Sequence, residues 1–116
     1  MKPFSRGERI SGQIQKIVSA LLQKKLNDPR IEFATITGVK MTDNLEEAII
    51  YFTTYTGEKG QKEALEGFKS ATGFIRKAVG KELKIRFTPK LKFIHDDSFD
   101  YGSKMDAILK SVKDDE

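Results

Sequence analysis

Apolar residues recur at helical spacing near the start of the chain, between Arg6 and Leu26. Most of them stand three or four positions apart, at Ile10, Ile14, Ile17, Val18, Leu21, Leu22 and Leu26. This spacing predicts one helix with a single buried stripe. The opposite side is polar and partly basic, because Arg9 and Lys16 lie on it. Asp28-Pro29 ends the helix, since proline disfavours helical geometry in the residue before it.

A predicted β-hairpin follows the first helix. Residues 34–41 are rich in β-branched side chains, which favours a strand, and their apolar phase shifts at Gly38. One extra residue in the strand, a β-bulge, explains such a shift. Thr42-Asp43-Asn44-Leu45 has the residue types of a turn, and a second predicted strand follows, with Ala48, Ile50 and Phe52 on one face. The short connection predicts that the two strands are antiparallel.

The second half of the chain predicts two more helices and a third strand. Apolar spacing indicates one helix around Ala64 to Phe68 and another from Phe74 to Leu83. Thr88-Pro89 ends this region, and Leu91 to His95 has the pattern of a strand. Residues 105–112 fit a short terminal helix, and residues 113–116 are expected to form a frayed tail.

The order helix, strand, strand, helix, helix, strand favours an α+β fold with helices covering one face of a small sheet. It is also the order of a two-layer type II KH domain, an RNA-binding fold. We therefore expect residues 1–116 to form one KH-like domain, with a core spanning about 6–112.

A KH domain places a GxxG loop between its two central helices. The string Gly57-Glu58-Lys59-Gly60 lies too early in the chain for that role and is interpreted as an ordinary loop. Ala71-Thr72-Gly73 occupies the helix junction instead. Because a glycine inside a helix costs about 1 kcal/mol relative to alanine, we expect it to provide a kink that replaces GxxG. Close helix packing at Gly73 is the alternative.

The composition narrows the classes of function. The chain contains 21 Lys and Arg against 17 Asp and Glu, no cysteine, and one histidine, His95. The absence of cysteine excludes disulfides, thiolate zinc sites and cysteine nucleophiles. No apolar run is long enough for a membrane span, and the first residues lack a secretory signal. We expect a soluble, intracellular, basic protein that binds a polyanion.

Positive charge is concentrated in two segments, with a net charge of +5 in residues 1–30 and +7 in residues 69–92. The other two segments, residues 31–68 and 93–116, each have a net charge of −4. Like charges without acidic partners suggest an anion-binding face. Lys77, Lys81 and Lys84 have helical spacing and are expected to share one face. The candidate nucleic-acid-binding residues are Arg9, Lys16, Arg76, Lys77, Lys81, Lys84, Arg86, Lys90 and Lys92. Phe74 and Phe87 are assigned to the core, which leaves few aromatic side chains for base stacking.

Catalysis has little support in the sequence. His95-Asp96-Asp97, with Asp100 nearby, is the one cluster whose residue types could bind a metal. These residues all follow the end of one strand, and no helix supplies a further ligand. A solvated turn therefore explains the cluster better. Gly80-Lys81-Glu82 lacks the Ser or Thr and the earlier glycine of a phosphate-binding P-loop. We assign no catalytic residue, no metal and no cofactor.

Several motifs together resemble the bacterial ribosome-binding factor A family. In chain order they are Asn27-Asp28-Pro29-Arg30-Ile31, Thr35-Ile36-Thr37-Gly38-Val39-Lys40, Asp43-Asn44-Leu45-Glu46-Glu47-Ala48, Ser70-Ala71-Thr72-Gly73-Phe74-Ile75-Arg76, Arg86-Phe87-Thr88-Pro89-Lys90-Leu91-Lys92-Phe93 and Asp96-Asp97-Ser98. The resemblance extends from about Arg9 to Leu109. In that family an Ala-x-Gly kink replaces the GxxG loop.

The resemblance implies a cytoplasmic, non-catalytic, cofactor-free factor that binds the immature small (30S) ribosomal subunit and its 16S rRNA. It implies a role in late maturation, rRNA processing and cold adaptation. Further expected partners are ribosomal proteins and assembly GTPases, and the chain is expected to be monomeric. By the same analogy Arg30 contacts RNA, although beside Asp28 it equally fits a structural ion pair. The alternative function is a protein-binding adaptor or general RNA-binding module that docks through residues 43–66.

Overall fold

Three strands and two long helices make up most of the described part of the chain. The computed structural model describes residues 5–24 and 26–97. The elements are α1 (Arg6–Lys24), a 3₁₀ turn (Pro29–Ile31), β1 (Ala34–Met41), β2 (Glu47–Thr54), α2 (Gly57–Leu83) and β3 (Lys90–His95). The first helix, the hairpin and the third strand confirm the sequence prediction, as does the α+β class. The predicted helix over 105–112 and the tail over 113–116 lie outside the described residues.

The strands form one sheet in the order β1-β2-β3. β1 and β2 are antiparallel, with Val39 opposite Ile50, whereas β2 and β3 are parallel, with Ile50 opposite Phe93. A parallel pair needs a long crossover between its strands, and α2 provides it. The register shifts between Ile36 and Gly38, so Thr37 is the extra residue of a β-bulge. This confirms the bulge that the apolar phase predicted.

The hairpin turn is held by its own polar side chains. The Asn44 side-chain oxygen accepts hydrogen bonds from the Thr42 hydroxyl (2.7 Å) and from the Glu46 amide (3.0 Å). The Glu47 amide donates to the Thr42 hydroxyl oxygen at 3.1 Å. Leu45 has a positive φ of 60° at the tightest point of the turn. The predicted turn chemistry is therefore confirmed.

The hydrophobic core lies between the helices and one face of the sheet. The hydrophobic side chains buried there are Ile10, Ile14, Val18, Leu21, Ile31, Ile36, Ala48, Ile50, Phe52, Ala64, Phe68, Ile75, Val79 and Phe93. At its centre the Phe68 ring lies 4.9 Å from the Phe52 ring and 4.6 Å from the Phe93 ring, measured between centroids. Phe68 and Phe93 are stacked, with 7° between their planes. These contacts anchor α2 to the two neighbouring strands β2 and β3.

Helix α2 runs through the junction where the sequence predicts two helices. Its 27 residues form one unbroken element, so the prediction of two separate helices is wrong, whereas the predicted kink at Ala71-Thr72-Gly73 stays a prediction. The physical reason is packing: Ala64, Phe68, Ile75 and Val79 stay on one stripe at helical spacing across the junction, and all are buried. The alternative of close packing at Gly73 is also wrong, because a Cβ built there meets no atom within 4 Å.

The Gly57-Glu58-Lys59-Gly60 string forms the first turn of α2, so its interpretation as a loop is wrong. Two glycines make this start possible. Gly57 has a left-handed φ of 82°, which favours glycine. A Cβ on Gly60 would overlap the Thr56 side chain, so Gly60 leaves room for that side chain, whose hydroxyl lies 2.8 Å from the Thr54 hydroxyl.

The 3₁₀ turn after α1 contains an internal ion pair and closely approaches α2. The Arg30 guanidinium contacts both carboxylate oxygens of Asp28, with Nη2 at 2.7 Å from Oδ2. The Asp28 carboxylate also accepts the Arg30 amide at 2.9 Å. A Cβ on Gly67 would lie 2.8 Å from Ile31 Cγ2 and 3.1 Å from Arg30 Cβ. The structural interpretation of Arg30 is therefore the one that these contacts support.

We predict opposite effects for alanine at Gly67 and at Gly73, two of the glycines inside α2. Gly67→Ala should lower the free energy of unfolding by about 1–3 kcal/mol, because the new methyl group meets the buried Ile31 side chain. Gly73→Ala should raise it by about 0.5–1 kcal/mol, because alanine favours the helix and nothing is in contact. Urea unfolding of both variants checks this. Equal shifts in the two would contradict the close approach at Gly67.

The Asp28–Arg30 pair also predicts a pH dependence. The hydrogen bonds from the Arg30 side chain and amide lower the pKa of Asp28 below its usual range. A lowered pKa in the folded state stabilises the fold above the ordinary pKa, and this contribution disappears as the pH falls through the lowered value. Asp28→Asn keeps an acceptor for the Arg30 amide but loses the charge. It should be less stable than the parent near neutral pH, and the difference should shrink below about pH 4. A difference that does not depend on pH in urea titrations would contradict the ion pair.

Candidate nucleic-acid interface

The basic side chains of the predicted interface cluster around the C-terminal half of α2. Lys77 and Lys81 are exposed and one helical turn apart on this helix. The helix ends at Leu83, and Lys84 is its C-cap with a left-handed φ of 52°. The prediction that Lys84 continues their helical face is therefore wrong, because the chain turns away at that residue.

The loop over residues 84–89 folds back onto the end of α2. The Lys84 amide donates to the Gly80 carbonyl at 3.1 Å, which closes the helix end. A Cβ on Gly80 would overlap the Thr88 hydroxyl oxygen, so this glycine admits the returning loop. Arg76 fixes the loop by donating to the Thr88 carbonyl (2.8 Å) and to the Pro89 carbonyl (3.1 Å). Arg76, which the sequence assigns to RNA, thus positions this loop.

A shallow groove lies between α2 and this loop. Gly73, Arg76, Lys77, Arg86, Phe87 and Thr88 line it, and we call it the basic groove. Phe87 is 77% exposed and Phe74, next to Gly73, is 52% exposed, so assigning both to the core is wrong. Phe74 directly precedes the buried Ile75 and therefore lies off the buried stripe, whereas Phe87 belongs to the loop. The Arg86 guanidinium carbon lies 5.4 Å from the Phe87 ring centroid, within cation–π range.

Further cations surround the basic groove on the helical side of the molecule. Lys16 and Lys24 of α1 line a second groove with Lys81 and Glu82 of α2. Arg6 and Lys90 line a third groove, which shares Arg76 and Arg86 with the first. Arg6 and Lys24 are not among the site residues that the sequence predicts. The sequence does indicate that Lys24 belongs with Lys16, because positions 16, 20 and 24 are four residues apart and so share one helix face.

Two predicted residues lie apart from this cluster. Arg9 is exposed on α1 but does not line the basic groove. Lys92 is exposed on β3 between Leu91, which packs against the core, and the buried Phe93. Because successive strand residues face opposite sides of a sheet, Lys92 lies on the face away from the helices. The structure therefore does not bring Lys92 together with Lys77 and Lys81.

The cations of the basic groove have no acidic partners in the part of the chain that the structure describes. Within residues 5–24 and 26–97, the lysine and arginine side chains form one ion pair, Asp28–Arg30, and the His95 ring contacts the Asp97 carboxylate. Lys77, Lys81 and Arg86 are thus exposed, and no carboxylate of these ranges lies within 4 Å of them. Such an arrangement leaves them available to an anionic ligand, because unpaired cations retain their full attraction for phosphate.

The His95-Asp96-Asp97 cluster is engaged in the fold. His95 Nδ1 lies 2.9 Å from Asp97 Oδ1, and the Thr37 hydroxyl donates to Asp96 Oδ2 at 2.7 Å. The Asp96 amide donates to the Phe52 carbonyl at 2.7 Å, which ties the end of β3 to β2. Among the described residues no three His, Cys, Asp or Glu side chains are grouped as metal ligands, and neither described helix is long and apolar enough to cross a membrane. Asp100 lies outside the described residues.

Comparison with known proteins decides the family. The family model described as "Ribosome-binding factor A" matches residues 6–109. The chain belongs to the ribosome-binding factor A family. A family relative, the ribosome-binding factor A of Desulfatibacillum aliphaticivorans, is 46% identical over 112 residues, covering 97% of this chain and 91% of the relative.

Solved structures of the ribosome-binding factor A family share the fold. A Thermotoga maritima protein solved by NMR and described as a ribosome binding factor A has a TM-score of 0.68 and 26% identity, covering 81% of this chain and 90% of its own. A Thermus thermophilus ribosome binding factor A, fitted as a homology model into a cryo-EM map of its complex with the 30S subunit, has a TM-score of 0.63 and 22% identity. That match covers 76% of this chain and 92% of the other. The second likeness concerns the fold alone.

For this family member we predict that Arg76 contributes to stability beyond its charge. Arg76→Lys keeps the charge but cannot reproduce the planar pair of donors to the Thr88 and Pro89 carbonyls. The free energy of unfolding should fall by about 1–2 kcal/mol. Amide chemical shifts should change mainly in the loop over 84–89. Lys77→Arg is the control and should change stability by less than about 0.5 kcal/mol. Equal stability of the two variants would contradict the role of Arg76 in holding the loop.

Proposed function

We propose that this chain binds the immature small ribosomal subunit through its rRNA and assists late maturation, including rRNA processing and growth in the cold. The factor acts in the cytoplasm, without catalysis and without a cofactor. The observation that supports this most directly is the set of exposed cations around the basic groove, unpaired within the described residues, in a member of the ribosome-binding factor A family. The Thermus relative fitted to a 30S complex supports the same partner.

The chemistry of the basic groove suits a nucleic-acid backbone. Lysine and arginine side chains neutralise phosphates and release counterions, which provides most of the affinity of such contacts. Lys77 and Lys81 are flexible point charges, and Arg86 adds a guanidinium that is fixed beside Phe87. The two exposed rings, Phe74 and Phe87, offer stacking surfaces for unpaired bases. The groove therefore fits irregular or single-stranded rRNA, whose phosphates and base faces are both accessible.

A relationship to KH domains is part of the same proposal. In this view the unbroken α2 replaces the two central helices of a KH domain, and Gly73 occupies the position of the phosphate-binding loop. Gly73 lines the basic groove and has no side chain, so a phosphate or sugar can approach the helix surface there. The element order helix, strand, strand, helix, strand supports this relationship.

A double charge reversal tests the proposed interface. Lys77→Glu with Lys81→Glu should weaken association with purified small subunits about tenfold or more, because two attractive interactions with phosphate become repulsive. The slope of log affinity against log salt should become shallower by about 0.7–0.9 for each phosphate that is no longer neutralised. Both quantities come from co-sedimentation at several salt concentrations. Circular dichroism should show an unchanged fold, since both side chains are exposed and make no ion pair in the described residues.

The matched control is Lys40→Glu with Lys62→Glu. It changes the net charge by the same amount, at two exposed lysines that line neither the basic groove nor the second groove, which contains Lys81. It should retain most of the affinity. Equal weakening by both double variants would indicate a general charge effect and refute the assignment of the basic groove. Unaltered binding of the Lys77 and Lys81 variant would refute it as well.

A further inference from the structure

A pair of exposed aromatic side chains lies at the other end of α2 from the basic groove. The Phe33 and Tyr55 rings have centroids 5.5 Å apart and planes tilted by 57°. Phe33 is 49% exposed and Tyr55 is 79% exposed. Monomeric proteins seldom leave two large aromatic rings in contact with each other and open to solvent, so the pair indicates an interaction surface.

The hairpin places these two residues side by side. Ala34 and Thr54 are the last paired residues at this end of the β1–β2 ladder, and Phe33 and Tyr55 lie directly beyond them. The backbone beneath the pair is well held, since Thr54 is buried and the adjoining 3₁₀ turn packs against Gly67 of α2. The pair is thus presented by fixed elements, which lowers the entropy that binding would otherwise cost.

A small groove continues from Phe33 toward the start of α2. Its lining includes Pro29, Arg30, Phe33, Thr56, Lys59 and Glu63. At a rise of 1.5 Å per residue, the start of α2 at Gly57 lies about 30 Å from Arg76 along the helix. One ligand group cannot contact both places, so this groove is a second surface and not an extension of the basic groove.

The charge around the aromatic pair differs from that of the basic groove. Arg30 is paired with Asp28 and adds little net charge. Near the pair in the chain, the exposed carboxylates of Glu32, Glu58, Glu63 and Glu66 outnumber the exposed lysines Lys59 and Lys62. This small excess of negative charge disfavours a phosphate backbone, whereas a cationic side chain would find both carboxylates and the faces of two aromatic rings.

We propose that Phe33, Tyr55 and the adjoining groove bind an arginine- or lysine-rich protein segment of the small ribosomal subunit. The basic groove then holds rRNA while the aromatic pair holds protein. A cation over Tyr55 or Phe33 and its alkyl stem against the rings account for the affinity, and the surrounding glutamates select for positive charge. This proposal rests on the proposed function, since it places the partner on the same particle.

Site-specific photo-crosslinking on purified small subunits tests the proposal. One variant replaces Tyr55 with p-benzoylphenylalanine, and a matched variant replaces Phe74, which is exposed beside the basic groove. The Tyr55 variant should crosslink to a basic segment of a ribosomal protein, and the Phe74 variant to rRNA. If the Phe74 variant crosslinks to rRNA while the Tyr55 variant crosslinks to rRNA or to nothing, the proposal is overturned and the proposed function stands.

If neither variant crosslinks, the proposed function itself is overturned. A titration of the free protein then still decides whether the aromatic pair binds a basic peptide. The probe is a peptide of alternating arginine and glycine, compared with a glutamate–glycine peptide and with oligouridylate. The basic peptide should shift the backbone amides of residues 29–34 and 54–63. Phe33→Ala with Tyr55→Ala should weaken that binding about tenfold, with the melting temperature reporting that the fold is intact. Shifts of these amides by oligouridylate in place of the basic peptide, or equal peptide binding by the double variant, overturn the proposal.

Discussion

The arrangement of the molecule depends on one contact, in which the Phe68 ring stacks on the Phe93 ring and also packs against the tilted ring of Phe52. It joins the middle of α2 to the two strands that α2 connects. All three rings are buried, and removing a buried phenylalanine from a core costs about 3–5 kcal/mol. Because α2 is one unbroken helix, fixing its middle also fixes the direction of both ends. The basic groove and the aromatic pair are therefore held at a set separation by one core contact.

Close backbone approaches secure the two halves of α2. At Gly67 the helix admits the 3₁₀ turn with its Asp28–Arg30 pair, and at Gly80 it admits Thr88 of the returning loop. Arg76 adds two hydrogen bonds from the helix to that loop. Neither glycine is explained by a turn or a left-handed φ, so their shared property is the space they leave for a neighbour. The loop over residues 84–89 is thus positioned by packing and hydrogen bonds on α2.

The sequence predicted the sheet better than it predicted α2. Alternating apolar residues and a phase shift at Gly38 are local signals, and the observed strand bounds and bulge agree with them. The continuity of α2 is a tertiary effect. A glycine costs a helix about 1 kcal/mol, whereas the packing of Phe68, Ile75 and Val79 in one register contributes several times more. Local propensity therefore indicated a break that packing overrides. In the candidate site, the cations around Arg76 could be predicted from composition, but the exposure of Phe87 and the turn at Lys84 depend on how the loop folds back.

The helix dipole explains how α2 can present unpaired charges without a large loss of stability. An α-helix has a partial positive charge at its N-terminus and a partial negative charge at its C-terminus. Glu58 lies in the first turn of α2 and Lys81 in the last, so each charge faces the end that stabilises it. Like charges at Lys77 and Lys81 repel each other, but the C-terminal carbonyl dipoles offset part of that repulsion. The dipole thus favours Glu58 near the aromatic pair and Lys81 near the groove, whereas Lys59 and Glu82 in the same two turns oppose it, so the dipole offsets only part of the cost of the exposed cations.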